Sequence, residues 1–266
     1  MSDKKISQFT ELTTPSADDF LPVVDASSST TKKIKLSNLP ISALSQSKAN
    51  SNTTDFQGVT ETTKLLTGIP NSGFRNNTNL NSIYIGSSVT SIGESAFENC
   101  VNLSDVTIAD GTTSIGAKAF NTCTGLTSMI IPNSVTSIGN SGFAVCRNMT
   151  NIKLSDNMTE IPNAAFSACF NLTGITIPDS VTGIGDSAFD TCEDATTIII
   201  GTGVTSIGNL AFNDCQGVTT INCLAKNAPT LGTDAFTNFV TLTINVPTDG
   251  IGYGDIYGSL IVVKSL

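Results

Sequence analysis

The sequence predicts a mainly β repeat solenoid built from coils of 23 residues. Three observations predict it. Phenylalanine recurs at Phe74, Phe97, Phe120, Phe143, Phe166, Phe189 and Phe212, 23 residues apart, with Phe236 following after 24. Cysteine stands three residues after most of them, at Cys100, Cys123, Cys146, Cys169, Cys192 and Cys215. Each interval also ends an L-x-x-I-x-I segment in period-2 alternation, as in Leu103, Val106 and Ile108 or Leu172, Ile175 and Ile177. One coil alone exposes too much apolar surface to fold. Stacked coils bury one another's columns in a continuous core.

Within each coil, the alternating segment predicts a short strand that pairs in parallel with its equivalents. The V-T-S-I-G segment predicts a second short extended stretch, ended by Gly. S-A-F-x-x-C predicts one helical or 3₁₀ turn, with a small residue such as Ala96, Ala119 or Ala188 before the Phe. At about 4.8 Å between strands, seven coils make a rod roughly 34 Å long.

Residues 1–40 lack this period. Their charges balance, and Phe20, Leu21, Val23, Val24, Ile34, Leu36 and Leu39 are their apolar set, read as two short strands around ASSSTT. That set is too small for an independent core, so this small N-terminal β segment must dock on a second copy or a larger assembly. Residues 41–55 are Ser, Asn and Thr rich and read as a linker. The expected organisation is an attachment segment at 1–40, a linker at 41–55, a solenoid at 56–223 and a capping repeat at 224–266.

Composition excludes several functions. The chain has 266 residues, no His and no Trp, and a net charge of −9. Without His there is no Ser-His-Asp or Cys-His nucleophile and no His-ligated metal. The acidic balance argues against nucleic acid as a partner. No run of about 20 apolar residues predicts a membrane span, and MSDKKISQFTELTT lacks the apolar core of a secretory signal, so folding in a cytosol is expected. No coil carries an insertion between Phe74 and Phe212 where a catalytic constellation could be built, and no enzyme, metal or cofactor is expected.

The seven cysteines show no C-x-x-C pair, and their one-per-coil spacing predicts a reduced, buried ladder. Cys223 falls in an inward strand column and is expected to be buried too. Asn79, Asn102, Asn148 and Asn171, with Asp194, are expected to bond backbone at a corner of the coil. Asp186, Asp190, Glu193, Asp194 and Asp214 gather on adjacent turns. They read as a solvated acidic corner, with a Ca²⁺ site as the alternative.

The strand position ten residues after each Phe should face outwards. It holds Tyr84, Thr107, Ile130, Lys153, Thr176, Ile199 and Asn222. Exposed Tyr84, Ile130 and Ile199 among Thr make this column the candidate contact surface. The alternative is that β-branched residues serve strand propensity alone. A protein contact, or hydrogen bonding to a polar glycan through Thr and Asn, both remain open.

SVTSIGESAFENCVNLSDVTI resembles the leucine-rich repeats of BspA-like surface proteins, over about residues 66–223. The tail, with its Val-Pro and Tyr, looks like the end of such arrays. These resemblances imply a leucine-rich-repeat fold and an adhesive or binding scaffold. K-I-S-Q-F-T-E-L, A-D-D-F-L-P-V-V-D and T-T-K-K-I-K-L-S-N-L resemble the N-terminal segment of bacteriophage fibre and other virion-attached proteins. That resemblance implies a tail fibre or similar virion appendage. Its N-terminus would attach to other virion proteins, its copies would form a homo-oligomer (a trimer by analogy), and its solenoid would meet a host cell-surface protein or glycan. A bacterial BspA-like adhesin, or a head fibre or decoration protein without a receptor role, are the alternatives.

Overall fold

The computed structural model describes residues 53–56, 67–239, 242–254, 256–257 and 260–264. The expected attachment residues Phe20, Leu21, Val23, Val24, Ile34, Leu36 and Leu39 lie outside them. In chain order the strands are β1 (Thr53–Phe56), β2 (Gly68–Ile69), β3 (Ser82–Ile85), β4 (Ser91–Ile92), β5 (Asp105–Ile108), β6 (Ser114–Ile115), β7 (Ser128–Ile130), β8 (Ser137–Ile138), β9 (Asn151–Lys153) and β10 (Glu160–Ile161). They continue as β11 (Gly174–Ile177), β12 (Gly183–Ile184), β13 (Thr197–Ile200), β14 (Ser206–Ile207), β15 (Thr220–Cys223), β16 (Thr230–Leu231), β17 (Thr243–Val246), β18 (Ile256–Tyr257) and β19 (Leu260–Lys264).

Odd-numbered strands pair in parallel, 23 residues apart through the repeats, as in Ile175 opposite Ile198 opposite Ile221. Even-numbered strands form a second parallel ladder, as in Ile161, Ile184 and Ile207. The odd ladder is interrupted between β5 and β7 and between β9 and β11, and the even ladder between β8 and β10. The expected solenoid is therefore present, in about eight rungs. β1 pairs with β3 and straddles the 55/56 boundary expected from composition.

The expected helical or 3₁₀ turn is not what S-A-F-x-x-C forms. The described residues contain no helix. Alternate backbone groups instead do two jobs. The amides of Gly73, Arg75 and Asn77 donate to the carbonyls of Pro70, Ser72 and Phe74, three residues back. The intervening amides of Ser72, Phe74 and Asn76 donate at 2.7–2.8 Å to Glu94, Ala96 and Glu98 of the next coil. Continuing as a helix would spend each further amide on a carbonyl of the same coil and remove it from the bonds to the neighbouring coil. The alternation needs left-handed backbone two residues either side of each Phe, at Ser95 (φ 53) and Asn99 (φ 60) for example. Such φ values cost L-residues roughly 1–2 kcal/mol each, and the inter-coil bonds offset it. Every amide in this third ladder points towards the C-terminal end of the rod.

The core is a single interior of side-by-side columns running through the coils. Phe74 through Phe236 stack with ring centroids 5.0–5.5 Å apart and interplanar angles of 2–14°. Buried Leu80, Leu103, Leu126, Met149 and Leu172 form a parallel column. The Gly that ends V-T-S-I-G is required by close approach: a Cβ on Gly139 would lie 2.3 Å from the Ala117 nitrogen. At the C-terminal end, β17 pairs with β19 in parallel and β18 returns antiparallel. Buried Tyr253 donates its hydroxyl to the Ala225 carbonyl at 2.7 Å and lies 3.1 Å from Cys223 Sγ.

Candidate functional site

The odd-numbered strands present one set of side chains to the core and the other to solvent. Inward, Ile83, Val106, Met129, Ile175, Ile198 and Ile221 are buried, and so are Ile85, Ile108, Ile131, Leu154, Ile177, Ile200 and Cys223. Outward lies the expected column. Tyr84 is 37% exposed and Ile130 is 67% exposed. Thr107, Lys153 and Thr176 are exposed, whereas Ile199 and Asn222 are only partly so. Alternation predicts direction but not shading: Ile199 stands in register between Thr176 and Asn222. Asn222 is itself fixed, because the Asn245 amide donates to its Oδ1 at 2.9 Å. The structure thus adds Asn245 and Val263 to the column, opposite one another on β17 and β19. The 23-residue step from Asn222 to Asn245 carries that signal.

The face is nearly free of charge. Residues 74–223 hold 12 Asp or Glu and 4 Lys or Arg, yet within that span only Asp105 and Lys153 stand on odd-numbered strands. Lys153 lies in register with Ile130, placing the face's cation beside its most exposed apolar side chain. Gly174 interrupts the outward row, and a Cβ built there meets nothing within 4 Å.

Elsewhere the polar residues are structural. Thr hydroxyls run in two columns, each donating to the carbonyl of the Thr one coil earlier. Thr150, Thr173 and Thr196 do so to Thr127, Thr150 and Thr173 at 3.0–3.1 Å. Thr113, Thr182 and Thr205 do so to Thr90, Thr159 and Thr182 at 2.9–3.1 Å. Sequence reasoning missed this role because Thr also reads as strand propensity. The Asn102 amide donates to the Thr78 carbonyl at 2.7 Å, the corner bond expected of that column.

The acidic corner is likewise tied into the coil stack. Asp186 Oδ1 accepts from the Asn209 backbone at 2.7 Å, and Asp190 Oδ1 accepts from the Asn213 amide at 2.8 Å. Asp214 accepts from Asn213 at 3.2 Å. Among the described residues, no three His, Cys, Asp or Glu are grouped so that they could hold a metal ion.

All seven cysteines are free and buried. The ladder does more than fill space. Cys123, Cys146 and Cys169 donate their thiols to the Phe97, Phe120 and Phe143 carbonyls of the preceding coil, at 3.2–3.3 Å. Burial pushes the Cys100 and Cys169 thiols up to about 12, and those of Cys123 and Cys146 well above the usual thiol range. A thiolate is disfavoured at these sites, so they are not nucleophiles.

The BspA type Leucine rich repeat region, in six copies, matches residues 67–195 and 182–253, well over half of the chain. The chain belongs to this family. Among solved structures, this BspA-type protein is similar to a leucine-rich repeat protein of T. pallidum, with 22% identity and a TM-score of 0.50, covering 68% of this chain and 73% of that one. It is also similar to a leucine-rich cell surface protein of Faecalibacterium prausnitzii A2-165, with 25% identity and a TM-score of 0.46, covering 74% and 70%. The likeness to the T. pallidum protein is one of fold. No curated protein matches the BspA-type chain. No helix among its described residues is long and apolar enough to cross a membrane.

Proposed function

We propose that this BspA-type protein is a non-enzymatic display scaffold: its N-terminal segment fixes it to a larger assembly, and the outer face of its odd-numbered strands adheres to a cell surface. The observation that carries the reading is the charge-poor face on an otherwise acidic rod. Depletion of charge with exposed apolar groups is the compositional mark of a contact surface. Strands of four residues give a face about 13 Å wide, and eight rungs make it roughly 34 Å long. The resulting area of about 450 Å² is below the roughly 800 Å² per partner of a stable protein complex. One copy therefore binds weakly, and several copies on one assembly gain by avidity.

In its finer form the assembly is a phage virion and the chain is a tail fibre or similar appendage, a homo-oligomer with a trimer favoured by analogy. The support is the likeness of residues 4–40 to virion-attached segments. The second reading, a bacterial surface adhesin, is favoured by membership of the BspA-type family. Adhesion is tested by incubating the purified full chain with bacterial cells. The double variant Ile130→Glu, Thr176→Glu is expected to retain less than a tenth of the bound protein, and equal retention overturns the reading. Immunogold electron microscopy of the native protein separates the two forms, by label on phage particles or on the cell envelope.

A further inference from the structure

We propose that the ligand of this face is an extended, uncharged, β-linked polysaccharide lying along the rod axis, with one sugar residue per coil. The inference rests on the reading of the face as the contact surface and goes further by naming the chemistry.

Four features of the structure point the same way. The first is spacing. The rungs repeat at about 4.8 Å between paired strands and at 5.0–5.5 Å along the phenylalanine column, and an extended β-1,4-linked pyranose chain advances by close to the same distance per sugar. Successive sugars of such a chain are turned by about half a turn, so ligand and surface meet in the same way at every second rung, and each added pair of sugars adds a similar contact. The second is chemistry. Outward Ser128, Asn151, Thr176, Thr197 and Asn222 set short hydroxyls and amides at the rungs, groups that both donate and accept, as sugar hydroxyls require. Short side chains also leave little rotamer freedom to be lost on binding.

The third feature is charge. An anionic polymer is repelled by the −9 chain and meets one cation, Lys153, on the face, where Asp105 opposes it, while a cationic one is drawn to the more numerous acids on the other faces. An uncharged polymer has no such preference to overcome. The fourth is shape. The face is long, narrow and shallow, with an open position at Gly174 between Asn151 and Thr197. Its area is too small for a folded protein partner to bind stably but matches a single laid-down chain. The exposed Ile130 gives the apolar face of a pyranose ring a place to rest.

The test uses the full chain and β-1,4-linked glucose, mannose and N-acetylglucosamine oligosaccharides of two to ten residues, titrated by calorimetry. Affinity for one series is expected to rise with every added pair of sugars and to level off at about eight, the number of rungs. Gly174→Arg plants a long side chain in the open position without entering the core, and should weaken binding of the octasaccharide at least ten-fold. Ser167→Arg, on the turn ladder, should leave it unchanged. If no series binds, while Ile130→Glu, Thr176→Glu still abolishes cell adhesion, the polysaccharide is wrong and the face stands. If neither oligosaccharide binding nor adhesion responds to the face variants, both readings fall. Binding that does not grow with chain length, or that Gly174→Arg leaves intact, overturns the axial arrangement.

Discussion

Replacing Phe143 by Ala removes a ring from the middle of the stack. Its neighbours Phe120 and Phe166 lie with centroids 5.1 and 5.5 Å away, and the ring is fully buried. Losing a buried Phe costs about 3–5 kcal/mol, and each lost ring pair adds roughly 0.5–1.5 kcal/mol. The backbone bond from Phe143 to Ala165 at 2.8 Å survives, so the ladder itself is not cut. The expected loss is about 4–8 kcal/mol. In a solenoid each coil is coupled only to its neighbours, so a central defect weakens two interfaces between coils. Phe236→Ala, at the C-terminal end of the phenylalanine column against Phe212, removes one ring pair of that column and should cost about 0.5–1.5 kcal/mol less. Urea unfolding followed by far-ultraviolet circular dichroism measures both. Phe143→Ala should also broaden the transition or split it in two. A central substitution costing under about 2 kcal/mol, or no more than the terminal one, refutes the continuous stack.

Three further outcomes follow from named residues. Val145 holds φ 62, a left-handed backbone that a β-branched residue resists; Asn occupies the same place at Asn76 and Asn99, so Val145→Asn should raise stability by about 0.5–1 kcal/mol in urea. Thr182→Val keeps the shape but deletes the hydroxyl that donates to Thr159 at 3.1 Å, and should cost about 0.5–1.5 kcal/mol in the same assay. The thiols of Cys100 and Cys169, raised by burial from 9.0 to about 12, give the third. Above pH 9 the unfolded chain releases these protons while the folded chain keeps them. Stability is therefore fully present below pH 9 and falls between pH 9 and 12, at roughly 1–1.5 kcal/mol per pH unit for each such thiol. Urea midpoints measured from pH 7 to 11 should fall above pH 9, and a flat profile contradicts the burial.

The 23-residue period, the inward strand columns and the buried cysteines are legible in the sequence because each core position repeats one residue class. The turn ladder is not. Its left-handed positions carry Ser72, Lys118, Val145, Ala164 and Leu210, none with the Gly signal that marks such backbone, and bonds between coils rather than local preference hold them. The hydroxyl columns were hidden for a related reason: Thr150 bonding to Thr127 is a contact across 23 residues, invisible to a local reading. On the candidate face the direction of Tyr84 to Asn222 follows from alternation, whereas the degree of exposure depends on neighbouring rungs. Ile130 beside flexible Lys153 is open, and Ile199 between Thr176 and Asn222 is half covered.

The central claim is that successive coils share one uninterrupted interior, and the cysteines report on it coil by coil. Pulse alkylation of the native full chain, read by mass spectrometry at Cys100, Cys123, Cys146, Cys169, Cys192 and Cys215, tests it most directly. All six should resist alkylation until the chain is unfolded, the four inner ones longest. Labelling of Cys123, Cys146, Cys169 or Cys192 at the rate of the unfolded chain would show that the coils do not share a core.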